Sequence, residues 1–182
     1  MTLNLTVRES TKMPAHTPTW DEIHQLAARL GLAAKAAGVQ LSSAESCTGG
    51  LIAGAITDIA GSSAWFDEAF VTYANAAKMR RLGVSEDNLT EFGAVSEPVV
   101  VQMAEGARQQ AGADLAVATS GIAGPDGGSP DKPVGTVWMA WASAKECESR
   151  CFHFTGDRQA VRLQAVFAAL TGLLEKIPVD RG

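Results

Sequence analysis

Ser46 and Lys78 are the side chains whose setting in this sequence invites chemistry. Ser46 lies in Ala44-Glu45-Ser46-Cys47-Thr48-Gly49-Gly50, a small polar turn between two apolar runs. Val39-Gln40-Leu41-Ser42-Ser43 before it reads as a strand, and Leu51-Ile52-Ala53-Gly54-Ala55-Ile56 after it reads as a helix. Such a turn brings hydroxyls to where the unpaired N–H groups of a helix's first turn converge, and those groups favour anions. A serine there has the exposure of a nucleophile and donors for a developing oxyanion. The plainer alternative is a serine or threonine cap beside glycines that ease a tight turn.

A nucleophilic serine needs a base. The three histidines, His16, His24 and His153, show no spacing that suggests a triad or a metal site. Cys47 could itself be a nucleophile, but no cysteine–histidine pair supports it. Lysine can replace histidine as the activating group. Of the six lysines, Lys35, Lys132, Lys145 and Lys176 have ordinary surface contexts. Lys78 differs, because it follows an apolar strand and lies close to Tyr73 and Arg81. Burial and neighbouring cations would both push its pKa down, as a general base at neutral pH requires. The alternative is a solvated helix lysine, since lysines are mostly exposed. Other motifs are missing: no phosphate loop ending in Gly-Lys-Ser/Thr, no dinucleotide fingerprint, and no serine elbow flanked by glycines.

These residues must be positioned by an alternation of helices and strands. Residues 1–18 carry no sustained period and read as a flexible extension, leaving 19–182 as one domain. Thr19 with Glu22 forms a capping box for a helix ending near Gly38. Trp65–Tyr73 reads as the second strand, and Asn75 as the cap of the helix carrying Lys78, closed by Gly83. Ser85 starts a short helix, and Ser96-Glu97-Pro98 opens a longer one through Gln110. Asp114–Ser120 reads as a buried strand. Residues 121–133 form a Gly/Pro-rich loop long enough to be functional. Two strands follow, at 135–142 and about 148–154, and then a helix from Arg158 to about Lys176. The pattern predicts an α/β fold, a three-layer α/β/α sandwich with a mostly parallel central sheet. The close spacing of the last two strands makes one pair antiparallel and the sheet mixed.

Composition bounds the function. Hydrophobic content of 46% with 19% charged residues fits a globular protein. A net charge of −5 argues against a nucleic-acid binder relying on overall basicity. Cys47, Cys147 and Cys151 lack metal-like spacing and read as free thiols of a reducing cytosol. No run suits a membrane span or signal peptide, so a cytoplasmic protein without membrane partners is expected.

Seven separated motifs, in order, carry a resemblance. They are Ala44–Gly50, Gly61-Ser62-Ser63, Tyr73-Ala74-Asn75-Ala76-Ala77-Lys78, Gly93–Pro98, Ser120–Gly128, Lys132–Val137 and Gly156-Asp157-Arg158. Together they resemble the nicotinamide mononucleotide amidohydrolase family, the domain also found at the C-terminus of competence/damage-inducible CinA proteins. The resemblance spans about 19–177, and the extra N-terminal domain of two-domain members is expected to be absent. It implies hydrolysis of the carboxamide of nicotinamide mononucleotide, giving nicotinic acid mononucleotide and ammonia. Ser46 would be the nucleophile, Lys78 its base, and Tyr73 a positioning or relay group. Backbone N–H groups around Thr48, Gly49 and Gly50 would be oxyanion donors, with Ser120, Gly121 and Arg158 lining the nucleotide pocket. Neither metal nor cofactor is expected, and a homodimer is the expected assembly. Two other readings stay open: a regulatory module that binds a nucleotide without turnover, and an amidase for another small carboxamide.

Overall fold

The computed structural model describes residues 15–178, together with the backbone of a short strand, β1 (Asn4–Val7). The first helix, α1 (Trp20–Ala37), starts on the expected capping box. Thr19 Oγ1 accepts from the Glu22 N–H, and the Glu22 carboxylate accepts from the Thr19 N–H. It ends at Gly38, whose φ of 64° suits a residue without Cβ. There follow β2 (Leu41–Glu45), α2 (Leu51–Thr57), β3 (Phe66–Val71), α3 (Asn75–Leu82), α4 (Glu86–Phe92) and α5 (Glu97–Gln110). The chain closes with β4 (Leu115–Gly121), β5 (Thr136–Ser143), β6 (Glu146–His153) and α6 (Arg158–Lys176).

The strands form one sheet in the order β1-β6-β5-β4-β2-β3. β4, β2 and β3 run parallel, whereas β5 is antiparallel to both β4 and β6, so the sheet is mixed as expected. β1 lies parallel to β6 at the outer edge, in a segment where the sequence suggests only an extension. Residues 1–3 and 8–14 of that extension lie outside the described residues.

Alternation along the buried strands explains the three layers. Leu115, Val117, Met139 and Trp141 point to one face, where α1, α2 and α6 pack through Ile23, Leu30, Ile52, Leu170 and Leu173. Ala116, Ala118, Ala140 and Ala142 point to the other, with Ala44 of β2. These short side chains let α5 press Val99, Val100 and Met103 close to the sheet.

α3, which carries Lys78, leans on α5 at Gly106. A methyl group at Gly106 would overlap the carbonyl of Leu82. Gly106→Ala is expected to lower stability by about 1–3 kcal/mol through overpacking, although alanine in a helix otherwise gains ~1 kcal/mol over glycine. It should also reduce any activity that needs Lys78 in place. Thermal unfolding alongside an activity assay checks both, and unchanged stability would contradict this account of the α3–α5 contact.

Candidate active site

The parallel trio β3-β2-β4 builds the site by register. Glu45 is level with Val71 on one side and Thr119 on the other, so the residues that follow emerge together at one sheet edge. Those residues are Ser46, Thr72 and Ser120. The edge is stitched by Thr72 N–H donating to Glu45 O (2.9 Å) and Ser46 N–H donating to Thr119 O (3.0 Å). Open α/β sheets offer their ligand crevice at such strand ends.

Ser46 is half-buried, and its Oγ lies 3.1 Å from Lys78 Nζ, which reaches across from α3. Lys78 is only 1% exposed, so the solvated-helix alternative does not hold. Nζ also donates to the carbonyls of Thr72 (2.8 Å) and Tyr73 (3.2 Å). Burial pushes the Lys78 pKa below the ordinary lysine value; the neighbouring Cys47 sulfur opposes this. A neutral amine has two N–H donors and one lone pair. Two carbonyls take the donors, and the remaining direction faces Ser46 Oγ, whose proton can be donated to that lone pair.

Cys47, beside Ser46, is buried, and burial pushes its thiol up to about 11. It is a neutral thiol at ordinary pH and a poor nucleophile. Among the described cysteines, Cys47, Cys147 and Cys151 are all free. His24 pairs with Asp58 and His153 lies on β6; neither lines the crevice.

The helix-start donors expected to face an anion are engaged elsewhere. The fully buried Glu45 carboxylate accepts from the N–H groups of Gly50 (2.9 Å), Ile52 (3.1 Å) and Ala53 (2.9 Å). Glu45 therefore occupies the positive end of α2 itself. Gly49 N–H donates to Ser46 O at 3.1 Å. Of the donors expected around Thr48, Gly49 and Gly50, only Thr48 N–H makes no bond to an oxygen among the described residues. The Thr48 side chain is turned inward, 2.9 Å from the Thr119 hydroxyl. Sequence reasoning missed Glu45 because a carboxylate in a turn is ordinary; its position just before an apolar helix start was the available signal.

The crevice encloses about 210 Å³, and its lining includes Ser46, Lys78, Tyr73, Ala94, Ser120 and Gly121. Ser120 Oγ donates to Ala94 O at 2.6 Å, so it ties the end of β4 to the loop between α4 and α5 as well as lining the wall. Lys132 Nζ adds a second tie, to Phe92 O at 2.7 Å. Arg158, at the start of α6, also lines the crevice. Its Nη1 donates to Gly124 O (2.8 Å) and its Nη2 to the Tyr73 hydroxyl (3.2 Å). Tyr73 thus meets Lys78 through its carbonyl and Arg158 through its phenol. Asn75 is not a cap, since Ala74 holds that position; Asn75 lines the crevice instead. Arg158 also borders an open groove of about 710 Å³ with Gln159, Arg162 and Trp20. Among the described residues no group of three His, Cys, Asp or Glu side chains gathers as a metal cluster. No helix among them is long and apolar enough to cross a membrane.

Comparison with known proteins supplies the chain's relatives. The chain is 59% identical over 163 residues to the nicotinamide-nucleotide amidohydrolase PncC of Enterobacter agglomerans, a match covering 85% of this chain and 96% of that one. The PncC of Escherichia coli K12 is 57% identical over 159 residues, covering 87% and 96%. A solved structure of a competence/damage inducible protein from Agrobacterium tumefaciens superposes with a TM-score of 0.83 at 45% identity, covering 89% of this chain and 98% of that chain. Residues 23–177 match the model of the CinA C-terminal domain. The chain belongs to the CinA C-terminal domain family.

Proposed function

We propose that this protein hydrolyses the carboxamide of nicotinamide mononucleotide, with Ser46 as nucleophile and Lys78 as general base. The observation that carries the reading is the 3.1 Å contact between Ser46 Oγ and a buried Lys78 whose other two Nζ contacts are carbonyls. Ser46 Oγ attacks the carboxamide carbon while its proton passes to Lys78 Nζ. The resulting ammonium passes that proton to the amide nitrogen as the C–N bond breaks, so the nitrogen leaves as ammonia and an ester remains on Ser46. Water, deprotonated by the same amine, then cleaves that ester and restores Ser46. Splitting the reaction in two eases attack on a poorly electrophilic amide. The names of the two PncC relatives support the same substrate and bond. Purified protein is expected to release ammonia from nicotinamide mononucleotide. No release, or faster release from other small carboxamides in a panel, would overturn the assignment.

The small crevice suits the ring and its carboxamide, with the ribose phosphate extending past Arg158 toward the adjoining groove. A charge-assisted hydrogen bond contributes about 1.5–3 kcal/mol, equivalent to roughly 10- to 150-fold. Arg158→Ala is therefore expected to lower kcat/KM for the mononucleotide by about that factor. The rate with nicotinamide riboside, which has no phosphate to lose, should barely change. Equal losses on both substrates would assign Arg158 to holding Tyr73 and Gly124 and reject it as a phosphate ligand.

A further inference from the structure

Arg162 sits one turn into α6, outside the crevice, yet its guanidinium grips the turn that follows the nucleophile. Nε donates to Cys47 O at 3.1 Å and Nη2 donates to Thr48 O at 3.0 Å. In a trans peptide the C=O of one residue and the N–H of the next point in opposite directions. Holding the Cys47 carbonyl toward α6 therefore turns the Thr48 N–H away from it. The neighbouring donors are all committed: Ser46 N–H to Thr119 O, Gly49 N–H to Ser46 O, and Gly50 N–H to Glu45. Cys47 N–H and Thr48 N–H are left without an oxygen acceptor among the described residues. The thiol of Cys47 lies beside both, and sulfur is a weak acceptor that a developing oxyanion would outcompete.

We propose that Arg162 is a positioning residue that aims and polarises the Thr48 peptide as the oxyanion donor for attack by Ser46. The inference rests on the serine-hydrolase reading given above. A guanidinium bound to successive carbonyls withdraws charge from both peptide groups and strengthens the N–H on the far side. The two-pronged contact needs the planar fork of arginine, which lysine does not have. Arg162 and Glu45 divide the turn between them: the carboxylate takes the helix-start N–H groups, and the guanidinium takes the carbonyls.

The test uses a fluorophosphonate as well as nicotinamide mononucleotide. In phosphonylation the Ser46 Oγ–P bond forms, the P–F bond breaks, fluoride leaves and the serine proton passes to Lys78. The phosphoryl oxygen needs the same donor as the amide oxyanion, so this rate reads the donor without depending on the natural substrate. Losing one such donor outright lowers rates by about 10²–10³-fold. A misaimed donor in Arg162→Lys or Arg162→Gln should slow labelling of Ser46 by roughly 10- to 100-fold. The kcat for the mononucleotide should fall by a similar factor, with KM near the wild-type value. Ethylguanidinium should restore part of the labelling rate in Arg162→Ala. Wild-type labelling rates in the lysine and glutamine variants would overturn the proposal, as would losses that only track a lowered melting temperature. A wild-type protein that is labelled but releases no ammonia would refute the substrate assignment alone, and the variants' labelling rates would still decide the role of Arg162. Failure of the wild type to be labelled would overturn the serine reading and this inference together.

Discussion

Ser46→Ala is expected to abolish ammonia release while leaving mononucleotide binding close to wild type. Loss of a serine nucleophile lowers turnover on the order of 10⁶-fold in hydrolases of this logic. Nothing nearby replaces it. Cys47 is the next residue, but its thiol is buried and held near 11, so almost none is thiolate at neutral pH. Water activated by Lys78 would lack the attacking atom fixed at the strand end. Binding should survive because Arg158, Ser120 and the 121–128 loop do not depend on Ser46 Oγ for their contacts. Calorimetric titration with the mononucleotide, alongside the ammonia assay, separates the two effects. Substantial turnover by the variant would sink the serine mechanism.

Lys78→Arg is expected to lower turnover by roughly 10²–10⁴-fold, the usual contribution of a positioned general base. Guanidinium stays protonated at any working pH and cannot accept the serine proton. The wild-type pH profile carries the same signature. The pKa of Lys78 is lowered in the folded protein, so the amine is charged and inactive below that value and neutral above it. Activity should therefore fall as pH drops through the lowered pKa. Stability has a matching sign: between the folded value and the ordinary lysine value the unfolded chain binds more protons, so this group's contribution to stability rises with pH across that window. A near-normal rate in Lys78→Arg, or a kcat profile that rises toward acid, would rule out Lys78 as the base.

Ser46 and Lys78 were legible as candidates because each stands at a boundary that local pattern reveals, a hydroxyl between a strand and a helix and a lysine just past an apolar strand. Arg158 entered only through the family motif Gly156-Asp157-Arg158. Asn75 misled, since its residue type suits a cap while the chain caps that helix with Ala74 and leaves the amide in the crevice. Arg162 left no mark, because an arginine on an amphipathic helix is ordinary until its partners, 114 and 115 residues earlier, are known.

By itself, the sequence determined which segments from Trp20 onward become helices and strands, but not β1. Apolar periodicity, the Thr19 capping box and the glycines at Gly38 and Gly83 are local effects, decided within a few residues. It also carried the family motifs and, with them, the expectation of a serine–lysine pair. Strand order and register were decided only in the tertiary structure. The parallel pairing that sets Glu45 level with both Val71 and Thr119 brings Ser46, Thr72 and Ser120 to one edge. The burial that lowers the Lys78 pKa arises from packing between α3, α5 and the sheet, and no stretch of sequence holds that information. The same is true of the donors. Whether a backbone N–H is free for an oxyanion depends on which distant groups have already claimed its neighbours, and here Glu45, Thr119 and Arg162 make that decision across the fold.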